Sequence, residues 1–126
     1  MKLLDTLIKL NLITFILSKS FTYSSTFEIT GGIYTKKTWE CPSAPTFKVS
    51  IGISECEAPI DHGLTLEVDL IKKGFFFDQT VSSDNVNLHY GGDVTLTGNE
   101  GGEYIIYLHN ESSHRVKGSI DLDITC

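Results

Sequence analysis

Four histidines, three cysteines and a scatter of acidic side chains are the groups in this 126-residue chain that could do chemistry. Of His62, His89, His109 and His114, only the last two are near neighbours, on either side of a short polar loop. A zinc site needs three or four ligands held in place by outer hydrogen bonds, so these histidines imply no metal and no other cofactor. Cys56 with Asp61 and His62 has the composition of a nucleophile and base. Cys41 lies upstream of it, and in an exported chain a disulfide is the simpler use of such a pair. No serine elbow, HExxH zinc helix or phosphate loop occurs. Asp78, Asp84, Asn85 and Asp93 carry the oxygen donors that calcium prefers, but not at the spacing of an EF-hand loop. They are weak calcium candidates, and an enzyme is not expected.

Binding chemistry has more support. Tyr34, Trp39, Tyr90 and Tyr107 would make a sugar-stacking platform if their rings lay exposed on a sheet face, although for a lone tryptophan beside a cysteine core packing is favoured. Asn110-Glu111-Ser112 fits the acceptor pattern for an N-linked glycan, at what reads as a hairpin tip. Phe75-Phe76-Phe77 is expected to pack into the core from a strand rather than stand exposed.

Residues 1–20 have the form of a secretory leader: lysines at 2 and 9, an apolar stretch from Leu10 to Leu17, then Ser18-Lys19-Ser20 with small residues at the −3 and −1 positions of a cleavage site. The stretch is shorter than the roughly 20 apolar residues of a stable membrane span. Removing it takes away three lysines and one aspartate, so the formal charge of −6 becomes −8. Nucleic acid is excluded as a partner because phosphate neutralisation needs a basic face, and an anionic membrane surface is disfavoured on the same ground. Outside the cytoplasm, in the periplasm, the ER lumen or the medium, two of Cys41, Cys56 and Cys126 are expected to pair. Cys41 with Cys56 is narrowly favoured. Cys41 with Cys126, which would staple an early strand to the last one, and three reduced buried thiols stay open. A leftover cysteine would permit a covalent dimer.

The elements that must position these groups are strands. Successive strand side chains point to opposite faces, and after position 20 apolar residues recur at every second place with no helical period over ten or more residues. Segments 25–30, 33–39, 47–53, 64–70, 86–90 and 94–96 alternate, separated by Gly31-Gly32, by Cys41 to Pro45, by Cys56 to Gly63 and by Gly91-Gly92. Gln79 to Asn85 is polar and reads as a loop. Tyr104 to His109, apolar on both faces, reads as an interior strand forming a closing hairpin with Ile120 to Ile124. About eight short strands predict an all-β fold, a single antiparallel β-sandwich or jelly roll over residues 21–126 following the leader helix.

On Gly102-Glu-Tyr-Ile-Ile-Tyr-Leu-His-Asn110 with Lys117 and Ile120 to Ile124, the chain resembles the closing strands of GOLD domains, the luminal β-sandwiches of p24-type cargo receptors. Tyr104 and Asn110 match that pattern, whereas Tyr107 stands where the family has a cysteine, so the family's disulfide is not expected. No membrane helix or cytosolic tail follows Cys126, so a complete transport receptor is not expected either. Bacterial pre-peptidase C-terminal domains share part of this likeness. A second stretch, Phe47 to Val68, is similar to early strands of MD-2-related lipid-recognition domains, which implies lipid held between splayed sheets. Composition and resemblance together lead to the expectation of a secreted or luminal non-catalytic module binding a protein or carbohydrate, with a small lipid carrier as the alternative. The oligomeric state is not legible.

Overall fold

The computed structural model describes residues 19–61 and 63–126; the expected leader through residue 18, and His62, lie outside the described residues. Nine strands follow one another: β1 (Ser20–Ile29), β2 (Gly32–Tyr34), β3 (Trp39–Cys41), β4 (Thr46–Cys56), β5 (Thr65–Lys72), β6 (Gln79–Asn87), β7 (Gly92–Thr97), β8 (Gly102–Asn110) and β9 (Val116–Thr125). They form two sheets, ordered β1-β9-β4-β7 and β2-β8-β5-β6, with β3 also pairing β8, farther along it. All the pairings are antiparallel.

The two-residue period explains the sandwich. Phe47, Val49 and Ile51 of β4, Ile120, Leu122 and Ile124 of β9, Leu66, Val68 and Leu70 of β5, and Tyr104, Ile106 and Leu108 of β8 all face inward and are buried. Each apolar face is removed from water only by the other, which fixes the layering. Trp39 is 4% exposed and packs edge-on against Tyr23 at 5.4 Å and Phe47 at 5.7 Å between ring centroids. The buried Tyr104 hydroxyl donates to the Glu100 carbonyl at 2.6 Å, and burial pushes its pKa up.

Five expectations are corrected. β8 and β9 are not a hairpin, because β8 lies between β5 and β2 while β9 lies between β1 and β4 in the other sheet. A five-residue connection spans the roughly 10 Å between packed sheets as readily as it turns a hairpin, so length could not separate the two. Gln79 to Asn85 is an edge strand, paired only with β5; an edge needs few apolar anchors, here Val81 and Val86. The strand expected through Tyr90 stops at Asn87, whose carboxamide accepts the backbone N–H groups of His89 (2.8 Å) and Tyr90 (3.0 Å) and so turns the chain.

The disulfide joins Cys41 to Cys126, with Cα atoms 5.4 Å apart, and Cys56 is free and half-buried. Cys41 closes β3 at one end of the sandwich, where the last residue also arrives, while Cys56 ends β4 opposite Val116 at the other end. Asn110, expected at an exposed tip, is 2% exposed. Its Nδ2 donates to the His114 carbonyl at 2.7 Å and its Oδ1 accepts from the Ser112 backbone and hydroxyl at 3.0 and 2.8 Å. That carboxamide closes the loop.

Candidate binding site

At the end of the sandwich that holds the disulfide, β5 and β6 run past the last inward-facing pairs and are joined by residues 73–78. The sheets end before this loop, so no facing layer remains to receive an apolar side chain. Phe75, Phe76 and Phe77 are accordingly 94%, 87% and 79% exposed, correcting the expectation that they fill the core. Phe75 and Phe76 meet edge to face, 4.8 Å between ring centroids.

The loop has a defined closure. Asp78 accepts the Gly74 backbone N–H at 3.2 Å and pairs with Lys73 Nζ at 3.1 Å, and these two contacts, the lysine first, hold its carboxyl below the usual aspartate range. The Lys73 backbone N–H donates to the Glu103 carbonyl at 2.8 Å, and Lys72 bonds Glu100, tying the stem to the turn between β7 and β8. A Cβ at residue 74 would lie 1.9 Å from the Phe77 carbonyl oxygen, so the turn needs glycine there. Three bulky rings are thus held out from a cross-braced stem whose two lysines are each matched by a carboxylate. A sequence signal for this existed in Lys72-Lys73-Gly74 and Asp78, a strand break with its own cap bracketing the phenylalanines.

The proposed sugar-stacking quartet does not assemble. Trp39 is in the core and Tyr90 is exposed in the turn after β6 at the opposite end. Tyr34 and Tyr107, cross-strand partners on the outer face of the second sheet, are brought together with ring centroids 4.5 Å apart. His109, two residues on along β8, stacks beside Tyr107 from the next row, with ring centroids 6.1 Å apart and planes 20° from parallel. Asp78, Asp84 and Asp93 are far apart in role: Asp78 closes the phenylalanine loop, Asp84 bonds its neighbouring Asn85 N–H, and Asp93 accepts from Ser50 in the first sheet at 2.6 Å. Among the described residues no three metal-ligating side chains gather. His89 meets the Ala58 carbonyl at 3.0 Å, and His62 lies outside the described residues. Between the sheets, a crevice bounded by Tyr23, Phe27, Ile33, Tyr34, Leu108 and Ile120 has a volume of about 30 Å³, room for a water rather than an acyl chain.

No protein-family model matches this chain, and no curated protein matches it in sequence. Among solved structures it is similar to the crystal structure of PliG from Aeromonas hydrophila, a periplasmic lysozyme inhibitor of g-type lysozyme. The TM-score is 0.52 at 15% identity, over 85% of this chain and 87% of that one. At that identity the likeness is one of fold.

Proposed function

We propose that this protein is an extracytoplasmic, non-catalytic binding module that inserts Phe75, Phe76 and Phe77 into an apolar cleft of a protein partner. The exposed phenylalanine tip on its closed loop is the observation that carries the reading. Burying one phenylalanine is worth about 1.5–3 kcal/mol, so the three offer roughly 5–9 kcal/mol against an association cost of similar size. Closure by Asp78 reduces the ordering cost of binding. A protein cleft is favoured over a bilayer because Lys72 and Lys73 are matched by Glu100 and Asp78, leaving no basic collar for anionic headgroups. A likeness in fold to an inhibitor that acts on another protein supports the same class of partner, as the disulfide supports an oxidising compartment.

The test compares the protein with its Phe75→Ser, Phe76→Ser, Phe77→Ser variant against secreted and periplasmic proteins, with a purified g-type lysozyme as one probe and anionic and neutral vesicles as another. The triple variant should keep its melting temperature, since exposed substitutions cost little, and lose a protein partner by about a hundredfold or more. Loss of vesicle binding with no protein partner affected would overturn the reading.

A further inference from the structure

The outer face of the second sheet, on the strands that flank the phenylalanine loop and on β2 and β8 beside them, carries a second surface. The strand registers set two cross-strand rows side by side: Tyr34, Tyr107, Asp69 and Ser83 in one, Gly32, His109, Glu67 and Asn85 in the next. Gly32 shapes the first row. A Cβ there would lie 1.7 Å from the Tyr107 hydroxyl oxygen, so only a glycine lets that ring lie across the strand, where it packs against Tyr34 at a 40° tilt.

Beside the rings lie two carboxyls, Asp69 and Glu67. Asp69 points away from the core yet is only 8% exposed. Its Oδ1 accepts the Ser83 hydroxyl at 2.5 Å, and Glu67, two residues before it on β5, stands on the same outer face between His109 and Asn85. Among the described residues no lysine, arginine or histidine forms an ion pair with either carboxyl. Burial first, then Asp69 and Glu111, push the Glu67 pKa up, and His109 offsets this only in part. Two carboxyls side by side on one face, neither in an ion pair among the described residues, favour a positive group brought against them.

We propose that the Tyr34–Tyr107 rings and the Glu67–Asp69 carboxyls together receive a cationic side chain, an arginine above all, from the protein partner. The chemistry matches on both sides. A guanidinium stacks flat on tyrosine rings while its fork of N–H donors engages adjacent carboxylates, and a chain of net charge −6 attracts a basic surface before contact. This inference rests on the protein-partner reading and adds what the partner must present: an apolar cleft for the loop and an arginine for the sheet face.

The experiment titrates the isotopically labelled protein with a capped tri-arginine peptide, with a capped tri-glutamine peptide and a neutral oligosaccharide as controls. The expected result is saturable NMR shifts confined to Tyr34, Glu67, Asp69, Tyr107 and their neighbours, from the arginine peptide alone. The titration midpoint of the Glu67 carboxyl should fall as that peptide is added. Tyr34→Ala should weaken binding about fivefold and Glu67→Gln about tenfold; both positions face solvent, and unchanged far-strand signals check folding. The phenylalanine triple variant should bind the peptide as the unaltered protein does, so failure here is separable from failure of the loop. Shifts from arginine that are absent or spread over all acidic residues, an unmoved Glu67 midpoint, or shifts from the oligosaccharide instead would overturn the proposal.

Discussion

Breaking the Cys41–Cys126 bond should destabilise the protein more than any single change in its surface. The bond spans a sequence separation of 85, and in the chain-entropy treatment closing a loop of that size removes about 4.6 kcal/mol of denatured-state freedom. That is a large share of the about 5–15 kcal/mol typical of folded domains, and for a domain of about 100 residues it corresponds to a fall in melting temperature of roughly 20 °C or more. Cys41→Ala and Cys126→Ala should each show the loss, and the double variant should add little, because either single change already opens the same loop. Cys56→Ala should move stability by less than about 1 kcal/mol, and native, unreduced protein should take up one thiol label, at Cys56. Denaturant unfolding of the unaltered protein and the four variants, with and without reductant, makes the measurement. A large loss from Cys56→Ala with none from Cys126→Ala would refute the pairing, and equal stability of oxidised and reduced protein would refute the reasoning about the denatured chain.

Three further outcomes follow from side chains already described. Gly74→Ala places a Cβ 1.9 Å from the Phe77 carbonyl oxygen and should re-form the tip, weakening partner binding about tenfold while changing stability by only about 1 kcal/mol, as titration and melting together would show. Asn110→Ala removes the bonds to His114 and Ser112 and should cost about 2 kcal/mol in urea unfolding. The raised Glu67 pKa means that this carboxyl's contribution is complete below its unfolded value near 4.3 and is lost as pH rises through the folded one. Glu67→Gln should therefore melt above the unaltered protein at pH 7, with the advantage vanishing toward pH 4; melting curves at both pH values give the sign.

Much of the fold was legible because the alternation of β4, β5 and β9 states directly which side faces the core. What the alternation leaves out is which sheet each strand joins. Tyr104 to Asn110 and Val116 to Thr125 read as partners, yet they belong to opposite layers, since five residues can cross the sandwich or turn back. Hydropathy misplaced both ends of the β5–β6 unit for one reason: it reports what a residue prefers, not whether a facing sheet reaches it. Phe75 to Phe77 lie past the end of the layers and stay wet, while polar Gln79 to Asn85 finds a backbone partner in β5. Tyr34 and Tyr107 were named among four candidate aromatics, but that these two and not Trp39 or Tyr90 lie together, with Glu67 and Asp69 beside them, became visible only with the register.

The central claim is most directly tested by placing a photo-activated benzoylphenylalanine at position 76 and irradiating the protein among extracytoplasmic proteins. The account predicts a covalent adduct to a defined protein, suppressed by excess unaltered protein but not by the serine triple variant, and absent when the probe sits at Ser119 of the first sheet. Adducts only to lipid, or the same adducts from both positions, would contradict it.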